Sequence, residues 1–522
     1  NSDTEVVLAA FDYYREECLH YFDGMFAFAI WDESEQVLFA GRDRFGEKPL
    51  YYFVNDEQFL FGSEMKALWS AGVPRLPERK MILNYITLGY VQNPANKAQT
   101  FFKDIFSLPA AHYLEYRPHE NELQVTEYWK LDKQALISMP EKDAMDRFEE
   151  LFLQSLQKRL RSDVPLGASL SGGLDSSTIV YYLQQQLRNA STSYKTFSAV
   201  FPGFEQDESA YIQQMVRTLH IENYSTSPTE AQLIDDFEKL AYYQEEPFPS
   251  SSIYAQYKVY ALAKATGVTV LLDGQGADEM LAGYHKYAHW YLQEMISRYR
   301  FTGAKKERLL MMENNIRFTW TYRNLFAAFL PSHASIALEK NEYNRIIQHP
   351  DITREMMSLL RGREWEGIHK PVVTKLNDIL YFNTMQYGLE ELLRYADRNS
   401  MAHGVEVRLP YLNAELVQFV FSLPSNYKIR DGYTKHLLRK LMDHKLPHSI
   451  VWRTDKVAFE PPQKQWMDSP QLTDYIFEAR QVLVDEQILK PQVLQKKSKG
   501  LPAHAADNFD WRYLCVARLL QS

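Results

Sequence analysis

Leu170-Ser-Gly-Gly-Leu-Asp-Ser-Ser177 is the stretch whose reading decides the fold. The apolar run Val164-Pro-Leu-Gly-Ala-Ser-Leu170 precedes it, and Ser177-Thr-Ile-Val-Tyr-Tyr-Leu-Gln184 opens a helix after it. It therefore reads as the turn between a buried strand and a helix. Gly172 and Gly173 let the backbone turn tightly, so that successive N–H groups face one concavity. Ser171, Ser176 and Ser177 add hydroxyl donors, and the helix adds the positive end of its dipole. Such a turn at the carboxyl end of a strand is a phosphate cradle of an open α/β sheet. It is not a Walker A loop, because no Lys follows the glycines. Asp175 is the odd member. A carboxylate beside a phosphate is repulsive unless a cation lies between them, so Asp175 most simply holds Mg²⁺; its plainer role is to complement the helix dipole.

The surrounding pattern agrees with a parallel sheet. From about Ala144, helical periods alternate with the isolated apolar runs Leu166–Leu170, Thr196–Phe201 and Val268–Leu272. Ahead of them, Met25–Trp31, Val37–Ala40, Pro49–Phe53 and Phe59–Phe61 are short runs parted by polar turns, the spacing of an antiparallel sheet. Ser2-Asp-Thr-Glu5 reads as a capping box opening a helix through Leu19. Pro94 to Pro118 reads as a polar connecting passage. The stretch from Tyr284 to Arg363 is helical, aromatic and basic in places, with no assignable role.

Composition bounds the function. The 522 residues exceed one core, so two or three domains are expected. A net charge of −9 argues against non-specific binding to nucleic acid or a membrane surface. Two cysteines, Cys18 and Cys515, exclude a disulfide framework and a cysteine zinc site and suit a reducing, cytoplasmic setting. No run has the length of a membrane span. His403 and His436 lack ligand spacing and are read as structural.

A second glycine turn follows an apolar strand in Leu271-Leu-Asp-Gly-Gln-Gly-Ala-Asp-Glu-Met-Leu-Ala-Gly-Tyr284. Asp175 and Asp278, at the ends of parallel strands, could share a metal ion bridging phosphate oxygens; a glycine turn with a solvated acidic helix start is an equal alternative.

The first turn resembles the signature of the ATP pyrophosphatases, which cleave ATP between the α and β phosphates. Asp397–Leu412, Lys435-His-Leu-Leu-Arg439 and Trp452-Arg-Thr-Asp-Lys456 then resemble the synthetase domain of glutamine-dependent asparagine synthetases. Residues 1–68 resemble the later part of that family's glutaminase domain, through Ser2-Asp-Thr-Glu5, Gly24-Met-Phe-Ala-Phe28, Arg42-Asp-Arg-Phe-Gly-Glu-Lys-Pro-Leu-Tyr51 and Ser63-Glu-Met-Lys-Ala67. The expected fold is α/β: a partial N-terminal-nucleophile (αββα) glutaminase domain over residues 1–135, then a parallel-sheet synthetase domain of adenine-nucleotide alpha-hydrolase type over residues 140–522.

The resemblance implies that an aspartate carboxylate attacks the α-phosphate of MgATP, giving β-aspartyl-AMP and pyrophosphate, and that ammonia then displaces AMP. Its cofactors are ATP and Mg²⁺, and its substrates are aspartate and glutamine or ammonia; a homodimer is compatible with it. Ser171, Gly172, Gly173, Asp175, Ser176 and Ser177 would hold ATP phosphates, with Asp175 and Asp278 on the metal. Ala199, Val200, Asp273 and Gly274 match the adenosine contacts, Val200 and Ala199 through backbone. Lys456 matches the lysine that neutralises phosphate charge, and Lys435 is a weaker candidate for the same work. Asp3 matches the aspartate that contacts the glutamine amino group.

The chain departs from the family where Ser-Gly-Glu-Gly becomes Asp273-Gly-Gln275-Gly. Gln275 keeps the length of the family's catalytic-site glutamate but cannot carry its charge. This leaves open an amidotransferase for another carboxylate; a non-catalytic nucleotide-binding relative is disfavoured by the intact turn, Asp278 and Lys456. The family's glutaminase attacks glutamine with an N-terminal cysteine, whereas position 1 is Asn1 and Cys18 lies late in the first helix. The expectation is a shortened chain that uses ammonia itself, from a full-length protein that uses glutamine.

Overall fold

The computed structural model describes residues 2–187, 194–455 and 460–521. Seven strands form the first part: β1 (Ala27–Asp32), β2 (Val37–Arg42), β3 (Tyr51–Val54), β4 (Phe59–Gly62), β5 (Ile105–Ser107), β6 (His112–Arg117) and β7 (Glu122–Glu127). They pair antiparallel in two sheets, β1-β2-β6-β7 and β4-β3-β5. Ala40 and Leu114 from one sheet meet Tyr52, Phe59 and Phe106 from the other, which makes a sandwich with an aromatic centre. On the outer face of the larger sheet, Phe39 packs on Phe11, Cys18 and Leu19.

Two expectations are corrected here. The first helix spans Asp3–Tyr14 and stops at Arg15, whose φ is +53°; a short turn and the helix Cys18–Tyr21 follow. That break lets Cys18 and Leu19 turn under the sheet and become fully buried. Ser2 caps the helix as expected, accepting from the Glu5 N–H at 3.3 Å. The passage Pro94–Pro118 is not merely connecting: it supplies β5 and β6, one strand to each sheet. In β6, His-Tyr-Leu-Glu-Tyr-Arg, only Leu114 and Tyr116 are buried, and the polar outward face hid the alternation.

The second part carries a five-stranded sheet of β8 (Leu166–Ser169), β9 (Lys195–Ala199), β10 (Glu222–Thr226), β11 (Val270–Leu272) and β12 (Glu406–Arg408), all parallel, in the order β10-β9-β8-β11-β12. The chain runs outward from β8 through β9 to β10, then returns to the other side of β8 for β11 and β12. The strand order therefore reverses between β8 and β11, the switch point at which open parallel sheets hold ligands. Both glycine turns leave the sheet there. β10 and β12, the two edge strands, are polar or short and carried no apolar run to announce them.

The two parts are joined by buried ion pairs. The helix Leu389–Met401 presents Glu390, Arg394, Asp397 and Arg398 towards the sandwich. Arg42 at the end of β2 donates to Glu390 at 2.7 Å, Lys48 pairs with Asp397 at 2.9 Å, and Glu245 accepts from the backbone of Met65 and from Arg398 at 2.8 Å.

Candidate active site

Gly172 takes φ +70°, and an added Cβ would lie 2.7 Å from the Tyr211 Cβ, so the turn is tight against the helix Ser209–Leu219. The helix after the turn begins at Leu174, earlier than Ser177, because Leu174 is itself buried in the core. Asp175, Ser176 and Ser177 thus occupy the first helical turn, where a negative charge or a bound anion is favoured. The Ser171 and Ser176 hydroxyls lie 3.2 Å apart and Ser176 also donates to the Gly173 carbonyl, so these two side chains close the turn on itself. The Ser177 hydroxyl is buried with no hydrogen-bond partner.

Across the switch point, Gly276 takes φ +90° and opens the short helix Ala277–Met280. This brings Asp278 towards Asp175. Lys435, at φ +52° ahead of the helix His436–Met442, puts its ammonium 2.5 Å from Asp175 Oδ2 and 2.5 Å from Asp278 Oδ1. Lys435 and Asp175 are almost wholly buried. The two carboxylates hold the Lys435 pKa above its usual value despite the burial that opposes it. Arg439 lies one turn on, where burial lowers its pKa to about 10. Gly283 makes the convergence possible: a Cβ there would stand 1.8 Å from Asp278 Oδ1 and 2.2 Å from Lys435 Cε. Asp175 and Asp278 are a pair of hard oxygen donors aimed at one cation, which fits Mg²⁺. Among the described residues no cluster of three or more ligating side chains occurs, so waters and phosphate oxygens would complete its shell, as Mg²⁺ usually requires.

The other sequence-derived candidates fall as follows. Gly274 backs onto the Asp175 loop, an added Cβ lying 3.2 Å from Asp175 Cβ. The Gln275 amide oxygen is buried at the cleft without a partner. Asp273 is buried and accepts from the Tyr260 hydroxyl at 2.6 Å, and burial raises its pKa. Ala199 ends β9, and the Val200 N–H is donated to the Thr226 carbonyl at 2.9 Å. Asp3 is exposed in the first helical turn, where its carboxylate accepts from the Thr4 N–H. Lys456 lies outside the described residues. The segment leading to it is anchored beside the first turn: Asp455 accepts from Tyr211 at 2.9 Å and Arg453 pairs with Glu208 at 2.9 Å.

Residues 147–517 match the asparagine synthase family, and residues 1–129 match a glutamine amidotransferase domain. The chain belongs to the asparagine synthase family. Similar relatives include asparagine synthetase [glutamine-hydrolyzing] 1 of Bacillus subtilis (strain 168), 28% identical across 98% of this chain and 78% of the relative. Asparagine synthetase [glutamine-hydrolyzing] 3 of the same organism is 26% identical across 87% of this chain and 70% of its own. Amidase chry2 of Gibberella zeae is 26% identical across 90% and 74%. Among the described residues no helix is long and apolar enough to cross a membrane.

Within this asparagine synthase family member, the structure adds residues that sequence reasoning left unassigned. Gly283, Arg439 and the Tyr284–Glu279 pair, 2.5 Å apart, all sit against the Asp278 loop. Glu279 is buried beside Asp278, and its pKa rises to about 7 through burial first and the neighbouring charge second. A cavity of about 30 Å³ lies at the junction of the two parts, lined by Arg42, Lys97, Glu246, Glu390, Glu391 and Arg394 among others. Glu391, at its wall, is pushed up to about 8 by burial.

Proposed function

We propose that this protein amidates a carboxylate at the expense of ATP, forming an acyl-adenylate and releasing pyrophosphate and then AMP, with aspartate as the acceptor and asparagine as the product. The carrying observation is the convergence of Asp175 and Asp278 on the one ammonium of Lys435, where two glycine turns leave a parallel sheet at its switch point. A carboxylate cannot be aminated directly at neutral pH, because hydroxide is a poor leaving group; adenylation supplies a better one. One acceptor oxygen attacks the α-phosphorus and pyrophosphate departs. Ammonia then adds to the acyl carbon and AMP leaves with that oxygen. Catalysis is chiefly positioning and charge neutralisation.

In this reading Ser171 to Ser177 cradle the departing pyrophosphate. Asp175 and Asp278 would hold Mg²⁺, which supplies charge neutralisation on phosphate oxygens. Lys435 and Arg439 add fixed positive charge on the same side, and Lys456 follows a segment anchored against the same turn. The glutamine amidotransferase domain makes glutamine the natural nitrogen source. The junction cavity is lined from both parts, by Arg42 and Lys97 of the first and by Glu391 and Arg394 of the second, which supports passage of nitrogen between them as free ammonia. A cytoplasmic setting is consistent with two buried, unpaired thiols.

A second reading, in which another carboxylate is the acceptor, is favoured by Gln275 and Asp273 at family positions of different charge and by the similarity to Amidase chry2. The test is incubation with MgATP, ammonium and a panel of carboxylates while pyrophosphate is followed. Aspartate should give pyrophosphate, AMP and asparagine together. Pyrophosphate with another acid alone would favour the second reading, and ADP as the nucleotide product would overturn both.

A further inference from the structure

The chain's net charge of −9 hides one stretch of the opposite sign. From Arg298 to Arg323 the sequence carries Arg300, Lys305, Lys306, Arg308 and Arg317 besides, against the acids Glu307 and Glu313. Glu307 is buried and spends its carboxylate on the backbone N–H groups of Asp431 and Gly432, each at 3.0 Å. Arg298 pairs with Glu294 at 2.9 Å, whereas Arg300, Lys305, Lys306, Arg308 and Arg323 are exposed and form no ion pair with a described residue. The acids of the next helix, Pro331–Ile347, are engaged elsewhere: Glu342 lies 3.2 Å from Lys370, and Glu339 accepts from the Lys370 N–H at 3.0 Å.

The same stretch exposes aromatic rings. Tyr299 is 76% exposed, and its ring centre lies 6.1 Å from that of Phe301 and 6.2 Å from that of Phe329. Phe301 opens the helix Phe301–Glu313, on which Lys305, Arg308 and Met312 follow at helical spacing along the exposed side, with Ala304, Glu307 and Met311 buried beneath. Phe329 closes the helix Tyr322–Phe329, where Tyr322, Leu325, Phe326 and Phe329 share one exposed face and no residue of the helix is buried. The two stripes meet at Tyr299 and make one face of rings and cations, the kind of apolar surface that marks a contact with another body.

Charge chooses the occupant. An isologous contact with a second copy would press the same cations together. An acidic protein would need a carboxylate opposite each of several scattered cations. An anionic bilayer surface offers negative charge at every register, and its headgroup layer receives aromatic side chains. We propose that this face docks the protein on anionic lipid, with the rings in the headgroup layer and Arg300, Lys305, Arg308 and Arg323 against the lipid charges. The 11-residue helix Tyr287–Ser297, about 16 Å long, separates the face from the Asp278 loop, so docking uses no residue of the cleft.

The test is co-sedimentation of the whole chain with phosphatidylcholine vesicles, made with and without phosphatidylserine. Wild type should pellet with the phosphatidylserine vesicles and stay in solution with the others, each cation within reach adding about fivefold in partitioning. Raising salt from about 0.1 M to about 1 M, which shortens the screening length from about 10 Å to about 3 Å, should release it. K305Q/R308Q should weaken binding by about tenfold or more, and F326S/F329S by a similar factor, with the melting temperature unchanged in both. Should F326S/F329S fold poorly, K305Q/R308Q decides alone. Equal pelleting with both vesicle types, pelleting with neither, or variants that bind like wild type overturn the proposal. Light scattering separates self-association: a dimer dissolved by F326S/F329S, in a chain that ignores both vesicles, would assign the face to a second copy and overturn lipid docking.

Discussion

The domain junction and the nucleotide cleft are both built from buried charge, one centred on a carboxylate and the other on an ammonium. At the junction one carboxylate, Glu390, lies between two cations, Arg42 and Lys97, and its pKa falls to about 2 although burial opposes this. In the cleft one ammonium, Lys435, lies between two carboxylates, Asp175 and Asp278, with Glu279 buried close by. A carboxylate already flanked by cations has no call for more, and it fixes how two surfaces sit together. Arg439, buried one turn on from Lys435, interacts with both carboxylates as well, so acids and bases from separate loops crowd one small volume at the switch point. Buried ions gathered from separate loops at a switch point mark a candidate site, whereas ions paired across two surfaces mark a joint.

The comparison breaks most sharply at Asp175. Asp175→Asn removes one buried charge and a hard oxygen donor, so pyrophosphate release should fall by about a hundredfold or more while the protein stays folded. Asp278→Asn should follow it in direction. Retention of near wild-type rates by both would remove the cleft from the chemistry. Lys435→Met does the converse, removing the ammonium that the two facing carboxylates share. Its stability should fall by about 3–5 kcal/mol, the usual cost of breaking a buried pair by removing one partner, and millimolar Mg²⁺ should recover more stability in the variant than in wild type. Denaturant melts with and without Mg²⁺ measure this; equal recovery would mean that the carboxylates do not take a cation.

At the junction the expected loss is of stability. Arg42→Ala should cost about 3–5 kcal/mol in urea unfolding, because Glu390 keeps only Lys97 and the Leu108 carbonyl loses a donor. A loss below about 1 kcal/mol would make the joint an ordinary surface pair. Gly283→Ala sharpens the cleft side: its Cβ would overlap Asp278 Oδ1, so activity should drop by about tenfold or more at little cost in melting temperature. The smallest effect is the pH dependence of Glu390. Its folded pKa lies below the ordinary value of 4.5, so its contribution is present above about 4.5 and fades as pH falls towards 2. The stability gap between wild type and Glu390→Gln should therefore narrow on acidification; a constant gap would show that the carboxylate gains nothing from its two cations.

The sequence made some of this legible for identifiable reasons. Gly172, Asp175 and Gly276 announce themselves because turns and charges beside apolar strands have few other uses, and β8, β9 and β11 are central strands with apolar sequences. β10, β12, β6 and β7 were not legible, since edge and half-exposed strands owe their conformation to pairing partners far along the chain. Asp273 reads as a ligand contact beside Gly274, yet its carboxylate turns inward to Tyr260, an orientation that only the neighbouring helix determines. The same holds for Gly283, whose importance arises from the Asp278 and Lys435 side chains that two separate loops bring against it.

The account turns on whether the acceptor carboxylate attacks the α-phosphorus. Aspartate labelled with heavy oxygen in its side-chain carboxylate, incubated with MgATP and ammonium, decides this by mass spectrometry of the nucleotide. Adenylation predicts AMP carrying one heavy oxygen from the acceptor, in amounts equal to the amide formed. Unlabelled AMP, or label appearing in phosphate beside ADP, would contradict it.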